Sequence, residues 1–216
     1  MTRRGLLAPL LATVATAACA PLVGEGLTPS VALGPPGWRT ARGAYGVDLR
    51  QTLRLYRPAR AGGSPILVLL PDGAPEAADE RMARDLAEQG FVAVLADRRA
   101  APGSPYPAFI ADAAAAVAWA ARRADDLEGD ARRIGVLGQG EGGRAALMLA
   151  LDRRYLAAAG APGAVRAAAA LGAPPRPDAT FTDPSAYGGA SDAAPVWRGA
   201  AGDRAGAIAF LRQALG

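Results

Sequence analysis

Four short apolar runs separated by stretches of helical spacing constrain this chain more than any other feature. Pro65 to Leu70, Phe91 to Leu95, Ile134 to Leu137 and Val165 to Leu171 carry almost no polar residue, the pattern of strands buried on both faces of a parallel sheet. Between them, Pro75 to Gln89 sets Met82, Leu86 and Gln89 at helical spacing and stops at Gly90. Pro107 to Asp126 reads as a long alanine-rich helix, and Glu141 to Ala159 as another. Such a βαβαβ order implies an α/β chain, a three-layer α/β/α sandwich on a mostly parallel sheet. Ahead of it, Ala44 to Val47 and Thr52 to Tyr56 resemble a hairpin. After Gly172 a Pro-, Asp- and Gly-rich loop leads to a short strand at Pro195 to Arg198 and a last helix from Asp203 to Leu215. No internal repeat is visible, and the length suits one domain with a real core.

Composition narrows the chemistry next. The 216 residues include no histidine, all 24 basic residues are arginine, and the one cysteine, Cys19, falls in the N-terminal segment. A Ser-His-Asp triad, a Ser-Lys dyad and a histidine-based metal site are therefore excluded within this chain, and no thiolate nucleophile is expected in the folded part. General-base work would fall to Asp, Glu or Tyr. No metal and no cofactor is expected.

Residues 1–19 read as an export signal: Arg3-Arg4, an apolar stretch from Leu6 to Ala18, then small residues up to Cys19. The start is similar to a twin-arginine signal, with an ordinary Sec signal as the alternative. Thr16-Ala17-Ala18-Cys19 is similar to a lipobox, which would lipidate Cys19 and anchor the protein to a membrane; plain cleavage after Ala15-Thr16-Ala17 is the alternative. Either route places the protein outside the cytoplasm, in the periplasm or cell envelope. Residues 20–37 are Pro- and Gly-rich and read as a linker, and residues 38–216 as the domain. Without the signal, 22 arginines face 20 acids, so the formal charge drops from +4 to +2. The arginines fall in scattered pairs beside acids, a solvated face rather than a phosphate track, and no nucleic-acid partner is expected.

The stretch Arg133 to Arg144 runs from an apolar strand through a glycine turn into a helix, and it fits two incompatible motifs. As a nucleophile elbow G-x-S-x-G it covers Gly138 to Gly142, with Gly140 where the serine should stand. As G-x-G-x-x-G it is complete at Gly138, Gly140 and Gly143, the fingerprint of a dinucleotide-binding turn. That second reading expects the first βα unit and an acid at the end of the next strand; the turn comes later, and the next strand, Val165 to Leu171, runs into Gly172-Ala173-Pro174 with no acid until Asp178. A third reading is purely structural: a tight connection whose glycines relieve strain and admit a close helix.

Further residues group around this turn. Tyr45-Gly46 precedes Gln51-x-Leu53-x-Leu55-Tyr56-x-Pro58, and Asp97-Arg98-Arg99-Ala100-Ala101-Pro102 follows the second apolar run. Then come Pro107-Ala108-Phe109-Ile110-x-Asp112 with Trp119, Gly129-Asp130-x-x-Arg133-Ile134, and Leu149-Ala150-Leu151-Asp152-x-Arg154-Tyr155-Leu156. In this order and spacing, from about Ala44 to Ala173, the chain resembles the bacterial carboxylesterase, feruloyl-esterase-like branch of the α/β-hydrolase family. The resemblance implies an esterase ancestor, but every catalytic position it carries over is altered. Gly140 replaces the nucleophile. Pro71-Asp72-Gly73 replaces the H-G-G loop whose N–H groups form the oxyanion hole, and a carboxylate there opposes a developing anion. Arg198 stands in the slot of the histidine in H-G-x-x-D, Gly202 in that of the aspartate, with Asp203 one residue late. The strand and loop that would deliver the base read as deleted.

The vestigial site is thus Gly140, Glu141, Asp72, Gly73 and Asp203, with no catalytic residue intact. Asp72 and Glu141 would meet at its mouth, as a carboxylate pair or as cap and solvent groups. Ser104 reads as a turn residue rather than a substitute nucleophile, and the alanine stripe Ala111, Ala114, Ala115 and Ala118 with Trp119 as core packing. The expected function is binding or scaffolding: a small acyl or aromatic ligand, or a protein partner of unknown kind, held without turnover. The alternatives are a weak carboxylic-ester hydrolase using water activated by Asp72 or Glu141, a dinucleotide-binding protein, and a decaying copy with no selected role.

Overall fold

The apolar runs become neighbouring strands. The computed structural model describes residues 28–29, 38–60, 62–99, 107–173 and 194–216; the signal segment with Cys19, and Ser104, lie outside them. The strands are β1 (Thr28–Pro29), β2 (Trp38–Ala44), β3 (Thr52–Pro58), β4 (Ser64–Leu70), β5 (Val92–Ala96), β6 (Gly129–Gln139), β7 (Val165–Leu171) and β8 (Val196–Gly199). They form one sheet in the order β1-β2-β3-β5-β4-β6-β7-β8. The β5-β4-β6-β7-β8 part is parallel, and β1, β2 and β3 add an antiparallel edge. The short β1 lies within the stretch read as a linker and pairs Thr28 with Arg42 of β2.

Each central strand sends alternate residues to opposite faces. Ile66, Val68, Leu70, Val92, Val94, Ile134 and Val136 pack with α2 (Ala108–Arg122), α3 (Glu141–Leu151) and α4 (Arg153–Ala158). Leu67, Leu69, Leu95 and Leu137 pack on the other face with Met82 and Leu86 of α1 (Ala77–Glu88) and Leu211 and Leu215 of α5 (Arg204–Leu215). The alanine-rich face of α2 puts Ala113, Ala114, Val117 and the fully buried Trp119 against the sheet. These small side chains let the helix lie close.

Four expectations shift. The first strand of the hairpin is β2 at Trp38–Ala44, and Tyr45 to Val47, read as that strand, belong to the turn. The single helix over Glu141 to Ala159 is two helices broken at Asp152, which is fully buried. Its carboxylate accepts hydrogen bonds from the Arg154 backbone N–H (3.0 Å) and guanidinium (2.9 Å), so it caps α4 instead of continuing α3. Helix α2 ends at Arg122, followed by turns in which Glu128 takes φ 59°. Strand β6 starts at Gly129, well before its apolar core, with an irregularity between Ile134 and Gly135.

Candidate functional site

The chain leaves β4 toward α1 on one face of the sheet, and leaves β6 toward α3 on the other. The carboxyl ends of these adjacent parallel strands therefore open a crevice, the usual ligand position of an open α/β sheet. The segments meeting there are Pro71-Asp72-Gly73 after β4 and Gln139-Gly140-Glu141 after β6.

Gly140 holds the sharp turn at φ 49°, ψ −117°, a conformation that strains any residue with a side chain. Its N–H donates to Leu171 O (2.9 Å), tying the turn to β7. The neighbouring glycines are set by packing. A Cβ at Gly142 would overlap Leu70 O and lie 2.6 Å from Pro71 O, so α3 rests its first turn directly on the backbone leaving β4. One at Gly138 would run into the Gly142 backbone and lie 2.5 Å from Gly143 N, whereas one at Gly143 would lie 3.0 Å from Ala173 Cβ and 3.3 Å from Gly138 O, a milder crowding. The turn keeps the elbow geometry, and the pattern of close approaches matches the structural reading of its glycines.

The place of the missing side chain is filled. A Cβ at Gly140 would overlap Oδ2 and Cγ of Asp72 and lie 2.7 Å from its Oδ1. Asp72 Oδ1 also accepts the Glu141 backbone N–H (3.1 Å), so its negative charge sits at the positive end of α3. That N–H, from the residue after the nucleophile position, is one an oxyanion would otherwise use. Gly73 follows at φ 89° with open space beside it. The Glu141 carboxylate turns away to pair with Arg144, three residues along α3. Asp72 and Glu141 therefore meet through backbone and carboxylate, as cap and surface ion pair, and not as two carboxylates sharing a proton. A pyrophosphate arriving at α3 in the dinucleotide manner would meet the Asp72 carboxylate first.

Behind this contact lies a polar cluster that sequence reasoning missed. Arg98, 1% exposed, donates from Nη2 to Pro71 O (2.8 Å), bracing the loop that carries Asp72, and its guanidinium lies 5.8 Å from the centre of the Phe109 ring. Its Nε is buried and has no hydrogen-bond partner among the described residues. Burial lowers the Arg98 pKa below the ordinary arginine value, opposed by the nearby charges of Glu141, Asp72 and Asp112 and by Tyr45. The Tyr45 hydroxyl donates to Asp97 O (2.6 Å), and burial, helped by Asp112 and Asp97, pushes its phenol far above the ordinary range. Tyr45 therefore stays protonated and is no general base. Asp112 accepts from Gln51 Nε2 (2.7 Å), from Arg99 Nη2 (2.7 Å) and from the Arg99 backbone N–H (2.9 Å). Burial pushes the Asp112 carboxyl up, but these hydrogen bonds outweigh it and hold the group below its ordinary value. The sequence signal for this cluster is the family pattern that holds Tyr45, Gln51, Asp97-Arg98-Arg99 and Asp112, which marks the residues but not the network that joins them.

The remaining predicted positions do not join Gly140. Asp203 caps α5, its carboxylate accepting the Gly206 N–H (3.1 Å). Arg198 is exposed on β8 and Gly202 lies in open space beyond it. Strand β8 is separated from β6 by β7, so this end stands roughly 10 Å across the sheet from Gly140. Among the described residues no group of three or more His, Cys, Asp or Glu is placed to hold a metal ion, and no helix is long and apolar enough to cross a membrane.

The BD-FAE family model matches residues 69–159, which run from the end of β4 through α4 and include the glycine turn. Esterase LipC of Mycobacterium tuberculosis is 32% identical over 125 residues, 52% of this chain and 30% of that protein. Carboxylesterase NlhH of the same organism is 42% identical over 59 residues, 27% of this chain and 18% of that protein. Among solved structures, the thermostable carboxylesterase EstE1 from a metagenomic library is 29% identical at a TM-score of 0.50, covering 56% of this chain and 42% of that one. A bacterial heroin esterase is 26% identical at 0.52, covering 63% and 44%. Esterase Est22, 22% identical at 0.56 over 63% and 44%, shares the fold. The chain thus spans less than a third of the curated relatives it matches and under half of these solved chains.

Proposed function

We propose that this chain, which has the α/β-hydrolase fold and resembles carboxylesterases across its central βα units, holds a small acyl or aromatic ligand without hydrolysing it. One observation carries the reading: the Asp72 carboxylate fills the place of the nucleophile's side chain and accepts the Glu141 N–H. The loss is thus more than a missing serine. Gly140 offers no side chain to attack an acyl carbon, and an oxyanion formed there would face the Asp72 charge in place of a donor. The absence of any histidine supports the same reading from the side of the general base. The carboxylates of Asp72 and Glu141 favour an uncharged ligand over a carboxylate product. Export and anchoring through a lipidated Cys19 belong to this proposal, with the binding domain held at the cell envelope.

The test is hydrolysis of p-nitrophenyl acetate and butyrate by the purified chain, beside Gly140→Ser and the double variant Gly140→Ser/Asp72→Gly. None is expected to turn over above buffer. The second reading, a weak hydrolase, draws on the names of the relatives and on Asp72 at the reaction position, from which it could activate water. Turnover by the native chain that Asp72→Asn abolishes would establish it and overturn the binding proposal.

A further inference from the structure

The turn between β2 and β3 holds two large apolar side chains out in water. Val47 is 85% exposed and Leu49 94%, whereas Val196, the next most exposed large apolar side chain among the described residues, is at 37%. One exposed apolar residue is ordinary on a protein surface, but two at a single tip form a contact waiting for a surface. The turn is also well held. The Tyr45 N–H donates to Gln51 O (3.0 Å), the Gln51 N–H to Asp48 O (2.9 Å) and the Arg50 N–H to the Asp48 carboxylate (2.8 Å). The Tyr45 hydroxyl and the Arg50 guanidinium (2.9 Å) both donate to Asp97, just after β5. These bonds draw the polar side chains back onto the domain and leave Val47 and Leu49 projecting.

The place of the turn in the fold says what the surface is. Strand β3 runs antiparallel to β5 with Leu53 opposite Ala96, so the turn before β3 stands at the carboxyl ends of the parallel strands, the end at which Asp72 meets Gly140. The N-terminal segment joins the domain at this end as well. Strand β1 sets Thr28 opposite Arg42 and Pro29 opposite Ala41, so it runs away from the turn, and the chain before Thr28 starts on the turn's side. From Cys19 to Thr28 there are 28 minus 19, or nine, Cα steps, a span of at most about 30 Å. A lipid on Cys19, the anchoring on which this inference rests, would therefore keep this end of the domain close to the bilayer. Two apolar side chains are too few to carry a free protein to a membrane. Beside a short tether their insertion becomes intramolecular, and a second weak contact then suffices.

We infer that the tip formed by Val47 and Leu49 enters the headgroup boundary of a lipid bilayer, so that the crevice between β4 and β6 opens along the membrane surface and takes its acyl ligand from there. The test uses the full chain with an N-terminal hexahistidine tag, its only histidines, on phosphatidylcholine vesicles carrying a nickel-chelating lipid, so that attachment does not depend on the tip. Cys19→Ser with Leu49→Cys leaves one thiol, labelled with nitrobenzoxadiazole, an apolar dye that takes the leucine's place. Gly62→Cys in the same background, exposed before β4 at the opposite end of the sheet, is the reference. The dye at position 49 is expected to shift to the blue and to lose about half or more of its emission to nitroxide-bearing lipid, while the dye at position 62 keeps its aqueous spectrum. Val47→Asp should cut the quenching at position 49 about twofold or more, with circular dichroism unchanged. A dye at position 49 that stays aqueous on the vesicles, equal quenching at both positions, or indifference to Val47→Asp would overturn the inference. Incorporation of labelled palmitate by the native chain in a bacterial host, and its loss in Cys19→Ser, reads the anchoring by itself. Incorporation without insertion overturns the tip alone; insertion without incorporation upholds the tip and overturns the anchoring.

Discussion

Restoring the serine should injure this protein rather than repair it. Gly140→Ser places a side chain on a backbone at φ 49°, ψ −117°, a strain of about 1–3 kcal/mol. It also evicts the Asp72 carboxylate, because the new Cβ claims the same space. The evicted carboxylate gives up its bond to the Glu141 N–H and its place at the α3 N-terminus, worth about 1 kcal/mol as a cap. The single variant should therefore lose about 2–4 kcal/mol, read by urea unfolding followed by circular dichroism. Asp72→Ala alone loses only the cap. In the double variant the cap is lost once, and no carboxylate contests the serine, so its loss should fall short of the sum of the singles by about 1 kcal/mol or more. Additive losses, or a Gly140→Ser variant as stable as the native chain, would refute the claim that Asp72 occupies the nucleophile's place.

Other substitutions test the surrounding packing and charges. Gly142→Ala should cost more than about 4 kcal/mol or prevent folding, since the new methyl meets the backbone of Leu70 and Pro71, which cannot yield. Gly163→Ala, with open space but φ 69°, should cost about 1 kcal/mol in the same unfolding assay. Arg98→Ala should cost about 2–5 kcal/mol through the cavity it leaves, while Arg98→Met, which fills that volume and buries no charge, should cost less than half as much. Asp112 has a folded pKa below its ordinary value of 3.8, so its contribution is complete above that value and is lost as pH falls through the folded pKa. Arg99→Ala removes its partner and should move the acid unfolding midpoint to higher pH, with the native and variant curves converging at the acidic end.

The parts of the fold legible in sequence are those where burial sets the residue pattern. The run Pro65 to Leu70 could hardly be anything but a strand buried on both faces, and β4 is that strand. The break at Asp152 was obscured because Leu149-Ala150-Leu151 and Tyr155-Leu156 continue a helical period across it; the side chain's choice of the Arg154 N–H decides the outcome. The start of β6 was missed for the opposite reason, since Gly129 and the polar Asp130 gain their extended form from pairing with Ser64 and Pro65 of β4, and the register then shifts across Ala131 to Arg133 before Ile134 pairs with Ile66, which no local period records. Such tertiary decisions also govern the site.

Asp72 and Gly140 stand 68 positions apart, and each alone reads as an ordinary loop residue. Their relation is steric: the Asp72 carboxylate lies where a side chain at position 140 would begin. Asp72 is exposed and its carboxylate can swing aside, so a serine at 140 displaces it from the start of α3 and is not barred by it. Once Asp72 caps α3 it contributes to folding stability, so selection for a stable domain opposes its removal and keeps its carboxylate beside position 140. On the binding proposal, single-site libraries at position 140 should yield less soluble protein than the native chain and no hydrolysis.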